Sequence, residues 1–150
     1  MVKQLIYKSQ CTGDITPEII DDILMSAQRF NKRHGITGIL LFSENMFMQF
    51  IEGVPHDIDR VYQNICDDPR HRSIQLLYIG YSDERAYPEW VMAAYSTEHL
   101  LQHGNAQGYA LASTLMEADP DQEPPYIGDF MHSLCAEFMP LPKPDRSLYN

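Results

Sequence analysis

The sequence has few of the features that mark disulfide-rich, metal-binding or membrane proteins. Its 150 residues contain three cysteines, Cys11, Cys66 and Cys135, which lie far apart and form no CxxC pair. This pattern is typical of reduced thiols and indicates no metal site. No segment approaches the 18 apolar residues of a membrane helix, and the first residues lack the apolar region of a signal peptide. We therefore expect a soluble, cytoplasmic protein that does not associate with a membrane.

Positive charge is also scarce. The chain has 11 Lys and Arg against 21 Asp and Glu, and its formal net charge is −10. Because a phosphate backbone is bound by clustered Lys and Arg, non-specific binding to nucleic acid is not expected. The content of 44% hydrophobic and 21% charged residues is ordinary for a globular chain, and the length suits one domain with a buried core.

The first third of the chain predicts a strand, a helix and a hairpin. Residues 3–10 alternate in polarity as a strand does. Thr16 and Pro17 supply the cap and first turn of a helix, whose apolar stripe ends at Gly35. Residues 36–53 then predict two strands joined by a tight turn at 43–45.

The next segment predicts one more helix and two more strands. Pro55 opens a second amphipathic helix and Pro69 ends it. Residues 73–82 and 90–96 have the composition of a fourth and a fifth strand. The order βαββαββ predicts an α+β fold, a ferredoxin-like sheet with two helices on one face.

The pattern changes after residue 97. Residues 98–150 predict two helical pieces and a proline-rich tail. We expect residues 1–97 to form the main domain and residues 98–150 to form a helical extension. The extension would cover the other face of the sheet or mediate contacts with a partner chain, and its apolar positions favour homo-oligomers.

Three polar residues stand where apolar ones are expected. Gln49 shares a strand face with Phe47 and Ile51, Asn31 lies on the inner face of the first helix, and Tyr7 lies on the inner face of the first strand. A buried amide without partners costs about 1–3 kcal/mol, and each residue alone is most simply a satisfied core residue. Together they suit a flat heteroaromatic ligand between the two helices. The apolar walls of this site would be Ile23, Leu24, Phe47 and Ile65.

The sequence resembles the BLUF family of blue-light sensors that use FAD. The segments that carry the resemblance are an early strand tyrosine, "GITGILLF", "FMQFIEG", "DDPRHRSI" and a late "WVM", in family-like order over residues 2–97. There is no nucleophilic triad and no Gly-rich phosphate loop. With its short extension the chain looks like the stand-alone BLUF proteins that lack a fused enzyme.

The resemblance implies roles for particular residues. Tyr7 and Gln49 match the photoactive pair, in which the glutamine amide rotates or tautomerises after light absorption. Asn31 matches the residue that anchors the polar edge of the flavin ring. Asp68, Arg70 and His71 match positions that border the chromophore, although an ordinary surface charge is the alternative interpretation of Arg70.

The resemblance also implies a phosphate contact and a signal relay. Arg29 is a candidate for the FAD phosphates, and Asn64 stands where some relatives have a basic residue. Trp90 and Met92 match the pair on the last strand that carries the signal outward. Which of the two faces Gln49 is left open by the sequence, and core packing is the alternative for both.

These residues lead to one main hypothesis and two alternatives. The main one is a non-enzymatic receptor that binds FAD, with FMN or riboflavin as possible substitutes, and alters its interaction with a downstream signalling protein. Response-regulator-like proteins and cyclic-dinucleotide enzymes are the partner classes that the resemblance implies. The first alternative is a light-independent ferredoxin-like module that binds a small molecule or a protein. The second is a flavin enzyme, which the lack of an acid–base pair disfavours.

Overall fold

The computed structural model describes residues 1–86 and 92–102, together with residues 110, 113 and 116. Trp90 and most of the predicted C-terminal extension lie outside the described residues. No helix in the described part is long and apolar enough to cross a membrane. The elements are β1 (Val2–Cys11), α1 (Pro17–His34), β2 (Thr37–Phe42), β3 (Met46–Gly53), α2 (Pro55–Asp67), β4 (His71–Ser82), β5 (Ala93–Ser96) and α3 (Thr97–Gln102).

The strands form one five-stranded sheet in the order β4-β1-β3-β2-β5. β1 pairs antiparallel with β3 and β4, β2 pairs antiparallel with β3, and β5 runs parallel to β2 at the edge. This is the predicted ferredoxin-like arrangement with an added strand. The central pairing of β1 with β3 sets Tyr7 directly opposite Gln49, which brings together two of the predicted site residues.

The helices α1 and α2 begin where the sequence predicts. The Thr16 hydroxyl accepts a hydrogen bond from the Ile19 N–H at 3.2 Å and so caps α1. Gly35 ends the helix with a φ of 64°, a left-handed conformation that glycine adopts without steric cost. α2 begins at Pro55 without a side-chain cap.

The core lies between one face of the sheet and the helices α1 and α2. Its buried members come from β1, β2, β3, β5 and both helices, so burial of apolar surface fixes the helices to the sheet. This places the floor of any site between the helices on the central strands. Fully buried members include Leu5, Ile20, Leu24, Leu40, Ile51 and Ile58.

The opposite face of the sheet is also covered in part. Met48 and Phe50, which point away from Gln49, are buried. The Lys8 ammonium group donates to the backbone carbonyl of Met116 at 3.4 Å, and Met116 is itself buried. This contact joins the far side of β1 to one of the described residues of the extension beyond α3.

A buried carboxylate ties β3 to the segment after β4. The Glu52 side chain has no exposed surface. Its oxygens accept hydrogen bonds from Gln4 at 3.4 Å, from Thr37 at 3.2 Å and from the Ala86 N–H at 2.9 Å. Arg85 donates to the Thr37 hydroxyl at 3.0 Å and to the Glu52 carbonyl at 3.2 Å. Glu52 therefore anchors the chain that leads from β4 toward β5.

Replacing Glu52 by alanine is expected to lower the free energy of unfolding by about 2–4 kcal/mol, because three partly or fully buried donors lose their acceptor. Glu44→Ala, in the exposed hairpin turn, is the matched control and should change it by less than about 0.5 kcal/mol. Urea unfolding of both variants measures the difference. Equal stability of the two variants would contradict a structural role for Glu52.

Candidate functional site

A cavity of about 240 Å³ lies between α1, α2 and the central strands. It contains all of the predicted polar site residues that the structure describes, except Arg29. The predicted walls Ile23 and Ile65 also line it. The lining residues are Tyr7, Ile23, Ser26, Ala27, Phe30, Asn31, Gln49, Val61, Asn64, Ile65, Asp68, Arg70 and His71.

Two predicted wall residues lie in the core next to the cavity and not on its surface. Leu24 is 1% exposed and Phe47 is fully buried. Successive helical side chains are about 100° apart, so Leu24 turns toward the sheet where Ile23 turns toward the cavity. The ring of Phe47 packs against the ring of His71, with 5.0 Å between centroids. Leu24 and Phe47 therefore lie in the core, behind the residues that line the cavity.

The prediction missed several lining residues, and helical spacing could have identified all of them except Asn64. A ligand against Ile23 must also meet the residues three, four and seven positions later on α1, and Val61 lies four positions before Ile65 on α2. The residues missed are Ser26, Ala27, Phe30, Val61 and Asn64.

A chain of three buried side chains crosses the floor of the cavity. The Tyr7 hydroxyl donates to Gln49 Oε1 at 2.5 Å. Gln49 Nε2 in turn lies 3.2 Å from Met92 Sδ and donates to it. All three residues are at most 5% exposed. Met92, the described member of the predicted relay pair, therefore faces Gln49.

The surroundings of Tyr7 keep its hydroxyl protonated. Burial raises the pKa of Tyr7 far above its ordinary value, and the nearby Asp68 carboxylate raises it further. A protonated phenol is a hydrogen-bond donor, so it fixes Gln49 Oε1 as the acceptor and turns Gln49 Nε2 toward Met92. The amide orientation thus follows from its two neighbours.

Asp68 and Arg70 form an ion pair at the end of α2. Arg70 Nη2 lies 2.6 Å from Asp68 Oδ2, and Arg70 Nε lies 3.0 Å from Asp68 Oδ1. Burial opposes ionisation of Asp68, but the hydrogen bonds and charge of Arg70 outweigh it and hold the pKa of Asp68 below its ordinary value. The charge of Arg70 is therefore largely balanced by Asp68.

An open cleft continues from the cavity toward the surface. It has a volume of about 690 Å³ and shares Ser26, Asn64, Asp68 and Arg70 with the cavity. The predicted phosphate contact, Arg29, lines this outer cleft. The site thus combines a narrow inner part with a wide and open outer part.

The donor set fits a flavin. Apolar side chains of α1 and α2 flank the cavity, and amide, phenol and imidazole groups supply donors and acceptors at its edges. Within the described ranges, no group of three or more His, Cys, Asp or Glu side chains is arranged to hold a metal ion.

Comparison with known proteins identifies the family to which the chain belongs. A family model described as "Sensors of blue-light using FAD" matches residues 2–93. The chain belongs to the BLUF family. The predicted family, its ferredoxin-like fold and its FAD cofactor are thereby confirmed.

The chain matches a short part of each of two longer curated relatives. The chain is 36% identical over 87 residues to the blue light- and temperature-regulated antirepressor BluF of Escherichia coli, covering 58% of this chain and 22% of BluF. It is 35% identical over 98 residues to the photoactivated adenylate cyclase subunit beta of Euglena longa, covering 65% of this chain and 11% of that subunit. The chain therefore spans a small part of these relatives.

A solved BLUF structure matches over nearly its whole length. The dark-state structure of the BLUF protein BlrB superposes with a TM-score of 0.72 at 29% identity, covering 90% of this chain and 96% of BlrB. A bacterial light-regulated adenylyl cyclase matches with a TM-score of 0.70 at 30% identity, covering 77% of this chain and 34% of that chain. The same domain thus occurs both at this size and within larger proteins.

Proposed function

We propose that this BLUF chain is a blue-light receptor in which Tyr7 and Gln49 are the photoactive pair. The observation that carries the proposal is the buried chain from the Tyr7 hydroxyl through the Gln49 amide to Met92 Sδ. Each member lies within hydrogen-bond distance of the next. A change at either end must pass through the amide, whose two ends differ in hydrogen-bonding character.

Residues of the cavity would hold the cofactor. Ile23 and Ile65, from the two helices, would flank the ring, while Asn31 and Gln49 would bind its polar edges. Arg29 would contact the phosphates from the outer cleft, where no ion pair within the described residues balances its charge as Asp68 balances that of Arg70. When bound, FAD supplies absorption of blue light and an acceptor for an electron and a proton.

The protein's part in the light response is a rearrangement of hydrogen bonds. Tyr7 gives up and regains an electron and a proton, and Gln49 rotates or tautomerises while the phenol cannot hold it in place. A hydrogen bond from the rearranged amide to the edge of a bound flavin ring would lower the absorption energy and give a reversible red shift. Gln49 Nε2 then leaves Met92 Sδ, so the start of β5 loses a contact.

The signal would leave the domain through β5. Met92 immediately precedes this strand, and α3 follows it directly. In this proposal residues 1–97 sense light, and residues 98–150 pass the change to a homo-oligomer interface or to a separate signalling protein in the cytoplasm. The names of the relatives, an antirepressor and adenylyl cyclases, support an output through a second protein unit and not through flavin-dependent catalysis.

Removing Arg29 is expected to weaken FAD more than riboflavin. Arg29→Ala should raise the Kd for FAD about fivefold at low salt, because an exposed cation contributes modestly to phosphate binding. Riboflavin, which lacks phosphate, should bind unchanged. Titration followed by flavin fluorescence measures both affinities, and the FAD effect should shrink at high salt.

Arg33→Ala is the matched control for this test. Arg33 is an exposed arginine one turn later on the same helix, and it does not line the cleft. Its loss should leave both affinities unchanged. An equal loss of FAD and riboflavin binding in Arg29→Ala would contradict a phosphate contact.

A further inference from the structure

His71 reaches the cavity because β4 is irregular where it begins. The pairing of β1 with β4 shifts register between Lys8 and Gln10, and on the β4 side Ser73 adopts a φ of 52°. Such bulges re-aim neighbouring side chains. Here the bulge lies between the regular part of β4 and His71, whose side chain lines the cavity.

Ser9 lies in this irregular stretch of β1 and bonds to His71. Ser9 Oγ is 2.7 Å from His71 Nδ1. Ser9 is fully buried and His71 is 9% exposed. In the part of the chain that the structure describes, the imidazole is the hydrogen-bond partner of the Ser9 side chain.

Burial favours the neutral form of the His71 imidazole. Burial lowers the pKa of His71 below its ordinary value, and the positive charge of Arg70 lowers it further, while the Asp68 carboxylate acts in the opposite direction. A neutral imidazole has one N–H donor and one acceptor nitrogen. The ring therefore exists in one of two tautomers, which offer opposite groups to a ligand.

The buried hydroxyl of Ser9 distinguishes between the two tautomers. If His71 Nδ1 carried the proton, it would donate to Ser9 Oγ, and the serine O–H would lack the acceptor that Nδ1 provides. If Nδ1 is the acceptor, the serine O–H is satisfied and the proton lies on Nε2. A buried donor is costly to leave without an acceptor, so the second arrangement is favoured.

We infer that Ser9 is a positioning residue that holds His71 as the Nε2–H tautomer, so that His71 presents a hydrogen-bond donor to an oxygen acceptor of the bound flavin. This inference rests on the proposed flavin site and adds to it a residue outside the cavity lining. It assigns to the His71 edge of the site a preference for carbonyl or hydroxyl oxygens over N–H groups.

The test is ¹⁵N NMR of the FAD-loaded protein with labelled histidine, where His71→Gln assigns the His71 signals among the six histidines. The wild type is expected to show Nε2 protonated and Nδ1 as a hydrogen-bonded acceptor. In Ser9→Ala, Nδ1 should move toward the shift of a non-bonded acceptor, and the tautomer ratio should fall about fivefold. Ser9→Thr, which keeps the hydroxyl, should restore the wild-type pattern.

A wild-type His71 protonated at Nδ1 would overturn the inference, and so would an unchanged spectrum in Ser9→Ala. The wild-type spectrum alone decides the tautomer if Ser9→Ala does not fold. An Nδ1–H tautomer in a protein with a normal light response would overturn this inference alone. An Nε2–H tautomer in a protein without a light response would support it and overturn the proposed function.

Discussion

Replacing Gln49 by leucine is expected to abolish the light-induced red shift completely while leaving the protein yellow. The amide forms hydrogen bonds to both the Tyr7 hydroxyl and Met92 Sδ. Leucine has a similar volume but no donor or acceptor, so no new hydrogen bond can form after light absorption. The cavity walls remain, and FAD should stay bound.

The measurement is the light-minus-dark absorption difference of the purified Gln49→Leu protein. Gln63→Leu is the matched control, because Gln63 is exposed on α2 and bonds only to Asp67 in the described structure. That variant should shift as the wild type does. A normal red shift in Gln49→Leu would refute the role of the amide.

Replacing Tyr7 by phenylalanine is expected to have an equally large effect on the light response. The substitution keeps the ring in the core and removes only the hydroxyl that donates to Gln49 Oε1. Without the phenol, the proposed source of the electron and proton is lost and the amide is no longer held in its initial orientation. The red shift should vanish, and flavin fluorescence should rise because this route of quenching is lost.

Tyr62→Phe is the control for this variant. Among the described residues, Tyr62 is a tyrosine whose ring contacts that of Tyr7, with 5.9 Å between centroids, and the hydrogen bond to Gln49 Oε1 comes from Tyr7. Absorption and fluorescence of both variants should show loss only in Tyr7→Phe. A normal red shift in Tyr7→Phe would refute the role of Tyr7, and loss of the shift only in Tyr62→Phe would give that role to Tyr62.

The element order and the three unusual polar residues could be predicted from the sequence because they depend on local patterns. Thr16, Pro17 and Gly35 mark helix ends through backbone chemistry, and Tyr7 and Gln49 stand out through period-two alternation. These patterns do not depend on how the elements pack. They therefore carry over directly into the structure.

The lining of the cavity was harder to predict because it depends on how helices rotate against the sheet. Leu24 and Ile23 are adjacent and similar, yet only Ile23 reaches the cavity. Whether Met92 faced Gln49 depended on the pairing of β5 with β2, which no local pattern specifies. The Ser9–His71 bond likewise depends on an irregular register between β1 and β4.

The most direct test is an absorption spectrum of the purified protein before and after blue light, followed through recovery in the dark. We expect flavin absorption bands that move to longer wavelength after illumination and return in darkness, without added reductant or substrate. A colourless protein that cannot be loaded with FAD would contradict the account and favour a light-independent binding module. Lasting flavin reduction that requires a substrate would contradict it in favour of a flavin enzyme.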